Sequence, residues 1–128
     1  MGPEFFLDRC LGRSTASALA DVGWRVHLIG QHFPSDGQET SDPEWIRFGV
    51  ERGWALLTQD KMIRYRKDEL AAVEETAGVM FILANGNLTI KQRTEQFLTN
   101  QAVIHAAAVE HGPALYRIYP DRIAKIWP

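Results

Sequence analysis

Val79-Met80-Phe81-Ile82-Leu83-Ala84 is six apolar residues in a row, followed by the turn signal Asn85-Gly86-Asn87. A strand with one wet face alternates apolar and polar residues. A strand apolar on both faces belongs inside a sheet covered on both sides, the setting of a central parallel strand. Moving toward the N-terminus, Trp54-Ala55-Leu56-Leu57-Thr58 reads as another strand, ending near Asp60. A helical stretch is predicted over Asp68 to Glu75 between the two. Glu4-Phe5-Phe6-Leu7 and Arg25-Val26-His27-Leu28-Ile29 are two further strands. Leu11, Thr15, Ala18, Leu19 and Val22 fall at helical spacing between them, with Gly23 as the stop. Asp42-Pro43-Glu44-Trp45 opens a helix: Asp at the N-cap, Pro at the first helical position, Glu in the first turn. Ile46, Gly49, Val50 and Gly53 share a face of it. Toward the C-terminus, Thr89-Ile90-Lys91-Gln92 fits a capping box for one long helix to His111, stopped by Gly112-Pro113. Leu115–Tyr119 and Arg122–Ile126, separated by Pro120-Asp121, read as a closing hairpin. Strands alternating with helices make an α/β fold with a mostly parallel sheet covered on both faces.

The chain has 128 residues, which suits a single domain over residues 1–128. Hydrophobic content of 45% and charged content of 23% are globular, which excludes a disordered or collagen-like chain. No apolar run approaches the ~20 residues of a membrane helix. The N-terminus has neither a basic region nor a long apolar run, so no secretory signal is expected and the expected location is cytoplasmic. The one cysteine, Cys10, forms no internal disulfide and reads as a small core residue. A net charge of −2 excludes bulk charge as the means of holding nucleic acid, so a polyanionic substrate needs a local basic cluster or a metal. Pro34 to Ser41 is polar and turn-rich and reads as a surface loop.

Right-handed crossovers put the C-terminal ends of the parallel strands along one edge, where the functional crevice of such sheets lies. Asp8 follows the first strand and Asp60 the third, and Asp42 and Glu44 open the helix that feeds the third. Each acid has a plain structural reading: Asp42 as N-cap, Glu44 with the helix dipole, Asp8 as cap of the first helix, and Asp60 as cap of a short helical turn beginning at Lys61. Their shared position argues for more. Crowded carboxylates repel, and a divalent cation with a taste for oxygen ligands, Mg²⁺ or Mn²⁺, removes that cost.

Phe5-Phe6-Leu7-Asp8-Arg9, Ser41-Asp42-Pro43-Glu44-Trp45-Ile46 and Leu56-Leu57-Thr58-Gln59-Asp60-Lys61 together resemble the three acidic blocks of PIN-like domains, in the compact form of VapC-type toxins. The resemblance runs from about Phe5 to Ile82. It implies a PIN-like three-layer α/β/α sandwich with a mostly parallel central sheet. It also implies metal-dependent cleavage of RNA, and partnership with a small antitoxin protein. By match, Asp8, Asp60 and one or both of Asp42 and Glu44 take the catalytic role, with Asp8, Asp60 and Asp42 as metal ligands. Thr58 matches a supporting hydroxyl. Where many PIN nucleases carry a further acid after the fourth strand, this chain has Asn85-Gly86-Asn87.

Lys61-Met62-Ile63-Arg64-Tyr65-Arg66-Lys67 places four cations in seven residues directly after Asp60, and Arg9 and Arg13 follow Asp8. Lys61, Arg64, Arg66, Lys67, Arg9 and Arg13 are the expected phosphate contacts, with Tyr65 placed to stack on a base. A solvated surface is the alternative for such a charge run. His27, His32, His105 and His111 make no zinc spacing, and no phosphate-binding or dinucleotide glycine motif is present. The function expected is a metal-dependent endoribonuclease, the toxin of a toxin–antitoxin pair. The alternative is a PIN-like module that binds RNA or protein without cutting. The C-terminal hairpin offers an edge for a homodimer or packs on its own sheet.

Overall fold

The computed structural model describes residues 2–128. In chain order the elements are β1 (Glu4–Leu7), α1 (Gly12–Asp21), β2 (Arg25–Leu28), α2 (Asp42–Glu51), β3 (Ala55–Thr58), α3 (Lys67–Thr76), β4 (Val79–Leu83), α4 (Ile90–Thr99), α5 (Gln101–Ala108), β5 (Ala114–Ile118) and β6 (Ile123–Trp127). The strands form one sheet in the order β2-β1-β3-β4-β5-β6. β1 to β5 are parallel and β6 returns antiparallel to β5. This is a three-layer α/β/α sandwich with a C-terminal hairpin.

The layers follow from the two-residue period of a strand. Phe5, Leu7, Leu57, Phe81 and Leu83 enter one core with Leu11, Leu19, Phe97 and Ile104 of the α1, α4 and α5 side. Phe6, Leu56, Met80 and Ile82 enter the other with Trp45, Ile46, Ala72 and Val73 of α2 and α3. Every residue of β3 and β4 is buried, as the unbroken apolar run of β4 requires. Gly49 lets α2 approach closely: a Cβ there would sit 2.7 Å from Phe6 Cδ2 and 2.8 Å from Leu56 Cδ2.

Strand order reverses at β1, which has β2 on one side and β3 on the other. At such a switch point the connections leave in opposite directions and open a crevice at the carboxyl edge. Asp8 follows β1 there, and its N–H donates to the Leu57 carbonyl at 2.9 Å. Because α2 and α3 run back across the sheet to feed β3 and β4, their N-termini also lie at this edge.

Three expectations need correction. The long C-terminal helix breaks at Asn100, whose buried amide donates to the carbonyls of Gln96 (2.9 Å) and Tyr119 (2.8 Å). That second bond ties the break to the β5–β6 turn, and α5 ends at Ala108, before His111. Val22 lies beyond the end of α1 and is exposed, while Thr15, Ala16 and Leu19 form the buried face. Gly53 is exposed past the end of α2 at φ 80°, a turn residue and not part of its packed face.

Candidate active site

Thr58 is fully buried at the end of β3. Its hydroxyl donates to Asp8 Oδ2 at 2.8 Å and accepts from the Asp60 N–H at 3.1 Å. One side chain thus ties the two acids that leave neighbouring strands. Burial and the nearby charge of Asp42 push the Asp8 carboxyl above its ordinary range, while the bonds from Thr58 and Cys10 pull it back. Cys10 is not a core residue. It is exposed as a whole, with Sγ set 3.4 Å from Asp8 Oδ2 and 3.5 Å from Thr58 Oγ1. Burial of the thiol and the charge of Asp8 push it up to about 11, so it stays protonated at neutral pH.

The N-cap of α2 is Ser41 and not Asp42. The Ser41 hydroxyl accepts from the Glu44 N–H at 3.3 Å and lies 3.4 Å from the Glu44 carboxylate. Ser41 therefore caps the Glu44 N–H of the first turn without help from Asp42. Glu44 is exposed and committed to its own cap. Asp42, relieved of capping, accepts from Trp45 Nε1 at 3.0 Å through one oxygen and turns the other into the crevice. Asp60 accepts from the Met62 N–H at 3.0 Å and from Arg66.

Glu69, in the first turn of α3, joins them. Carboxylate oxygens of Asp42, Asp60 and Glu69 lie within 4.8 Å of one another. Burial raises the Glu69 carboxyl to about 7, and its contact with Asp42 adds to the rise against the pull of Arg66. Burial is the larger cause of that shift, and the neighbouring Asp42 carboxylate adds to it. Three carboxylates from three separate segments, all hard oxygen donors, fit a divalent ion of the Mg²⁺ or Mn²⁺ kind.

The cations do not behave as one cluster. Arg66 turns into the acids: its Nη1 bonds Asp60 and lies 3.4 Å from Glu69 and 4.0 Å from Asp42. Lys61 and Lys67 are exposed. Arg64 lies 5.3 Å from the Tyr65 ring, which is 65% exposed. Arg9 lines a cleft of about 360 Å³ with Asp8, Asp42 and Trp45. Arg13 pairs with Asp36 at 3.6 Å, and both line a separate, smaller pocket that also borders Asp8 and Arg9. Asn85 closes its own turn, accepting from the Asn87 N–H at 3.1 Å.

Two residues here escape a reading of the sequence. Glu69 looks like one more acid of a charged helix; the usable signal is that it opens a helix starting at the same edge as Asp42. Arg93 of α4 reaches the Cys10 carbonyl at 3.4 Å, where Gln59 also donates at 2.8 Å, and so steadies the turn after Asp8. That contact spans 83 residues and has no local pattern.

A sequence profile described as "PIN like domain" matches residues 3–85. A protein of Mycobacterium tuberculosis (strain ATCC 25618 / H37Rv), named "Putative ribonuclease VapC45", is 28% identical over 125 residues, covering 96% of this chain and 91% of its own. No solved structure matches.

Proposed function

The chain belongs to the PIN-like domain family, and from that premise we propose that it is a metal-dependent endoribonuclease, the toxin of a toxin–antitoxin pair acting on RNA in the cytoplasm. The observation that carries this reading is the meeting of Asp42, Asp60 and Glu69 at the carboxyl edge, beside Asp8. These acids would hold Mg²⁺ or Mn²⁺, with Asp8 as the fourth carboxylate next to Asp42. When bound, such an ion lowers the pKa of a water and stabilises charge on a phosphate oxygen. Thr58 fixes the direction of Asp8 and the backbone of Asp60, so neither has to reorganise during reaction. Lys61, Arg64 and Lys67 supply phosphate contacts beside the acids, and Arg9 supplies one in the cleft. Tyr65 offers a base a stacking face. Glu44, turned to its cap, has a supporting role through the start of α2. Glu69 supplies a carboxylate that Asn85 and Asn87 lack, which favours cutting over binding alone. RNA as substrate is supported by the family and by the relative's name, and the antitoxin by the resemblance to VapC-type toxins.

The test is cleavage of mixed-sequence single-stranded RNA by the purified protein, in Mg²⁺ or Mn²⁺ and in EDTA. The expected result is metal-dependent cutting that Asp60→Asn reduces by about 10²–10³ while the fold is kept. Absence of metal-dependent cutting on every RNA tried, by folded protein, overturns it.

A further inference from the structure

Among the described residues, Arg66 is the cation that pairs with all three carboxylates of the trio. A single nitrogen does so. Nη1 bonds Asp60 Oδ2, lies 3.4 Å from both Glu69 oxygens, and lies 4.0 Å from Asp42 Oδ2. The basic segment that follows Asp60 therefore splits in two. Lys61, Arg64 and Lys67 stand outside, and Arg66 reaches in.

We propose that Arg66 is the resident counter-ion of the carboxylate trio, that a divalent ion must displace it to bind, and that the displaced guanidinium becomes a ligand for the substrate phosphate. This rests on the metal-site reading above. A guanidinium and a divalent ion claim the same oxygens and carry the same sign of charge. Both cannot hold Asp60 Oδ2 and Glu69 from the same side. Each therefore weakens the other's hold, by the linkage that makes coupling between two sites reciprocal.

The local structure lets the side chain leave without loss of the fold. The backbone of Arg66 is fixed at both ends: its N–H donates to the Ile63 carbonyl at 3.2 Å, and its own carbonyl accepts from the Leu70 N–H at 3.0 Å. Its side chain is 46% exposed. Beside it opens a cleft of about 490 Å³ lined by Ser41, Asp42, Pro43, Lys67, Asp68 and Glu69. A guanidinium released toward this cleft stays next to the acids and near Lys67. A planar fork of donors suits a phosphate as well as a carboxylate. The exchange keeps charge matched at each stage: the trio holds a cation before and after, and the arginine passes from carboxylates to phosphate.

The test is Mn²⁺ binding by calorimetry, without RNA, to the wild-type protein, Arg66→Gln, Arg66→Lys and Asp60→Asn. Removing the competing charge in Arg66→Gln is expected to tighten Mn²⁺ binding by about 10-fold or more, a discount for exposure from the full pairing of close charges. Arg66→Lys, which keeps the charge, is expected to stay close to wild type. Asp60→Asn is expected to weaken binding. In parallel, the Arg66 Nε–Hε resonance of the wild-type protein, identified by its loss in Arg66→Lys, is followed as Mg²⁺ is added. It is expected to shift with the same midpoint as Mg²⁺ binding, and this arm needs only the charge-keeping Arg66→Lys to fold. If Asp60→Asn weakens Mn²⁺ binding but Arg66→Gln binds it no more tightly, or the Arg66 resonance stays fixed through saturation, the counter-ion role is wrong and the metal site stands. If neither wild type nor Arg66→Gln binds Mn²⁺, the metal site itself is wrong, and this role with it.

Discussion

Replacing Glu69 by Gln should stabilise the metal-free protein at pH 8 and leave it little changed near pH 5. The Glu69 side chain is only 8% exposed and its carboxyl is raised to about 7 by burial and by Asp42. Its ordinary value is 4.5. The folded chain therefore holds this proton more tightly than the unfolded chain does. The stability that comes from this group is complete below 4.5 and is lost as pH rises through about 7. With each pKa unit equal to about 1.4 kcal/mol, ionised Glu69 costs up to about 3 kcal/mol at pH 8. Gln keeps the volume and can donate to Asp42, but it gives Arg66 a weaker acceptor, so a net gain of about 2 kcal/mol is reasonable. For a domain of this size that is a rise in Tm of about 6–10 °C. The assay is thermal unfolding followed by circular dichroism in EDTA, at half-unit steps from pH 5 to 8. The wild-type Tm should fall across that range relative to the variant, and the two curves should converge at the acid end. Parallel curves, or a variant less stable than wild type at pH 8, would refute the reasoning. The same variant should bind Mn²⁺ more weakly, so stability and metal binding move in opposite directions.

Thr58→Val keeps shape but removes the hydroxyl that joins Asp8 to the Asp60 backbone. It should cost about 2–3 kcal/mol in urea unfolding with an unchanged m-value, and should raise the Asp8 pKa further, as read by NMR of its carboxyl carbon. Lys61→Ala with Arg64→Ala should weaken single-stranded RNA binding and lower the salt slope of log K by about 1.4, the release expected for two phosphate contacts, while Tm stays within about 2 °C. An unchanged slope would make these two residues solvated surface only.

The layers of the fold are legible because the strands carry them. Phe5-Phe6-Leu7 and the run from Val79 to Leu83 feed both faces, so both faces of the sheet must be covered. Asp8, Thr58 and Asp60 are legible for the same reason: a parallel strand delivers whatever follows it to one edge. What depends on contacts between distant segments is not legible. Asn100 looks like a tolerable helix residue until its amide meets the Tyr119 carbonyl, 19 residues on. Ser41 and Asp42 both have capping side chains, and local pattern does not say which of them caps and which turns to the crevice. Arg66 has the same chemistry as Arg64, two residues earlier, yet α3 starts at Lys67 and brings Arg66 and Glu69 onto Asp42 and Asp60. A charge run in a sequence gives no direction to its members.

The central claim is that Asp42, Asp60 and Glu69 form one cation site. Anomalous scattering from a crystal grown with Mn²⁺, measured above the manganese edge, tests it most directly. The account predicts an anomalous peak within bonding distance of carboxylate oxygens from at least two of these three residues, with the Arg66 guanidinium withdrawn from it. A Mn²⁺ peak bound elsewhere on the protein, or none in a crystal of protein that cuts RNA in the same Mn²⁺ concentration, would contradict it.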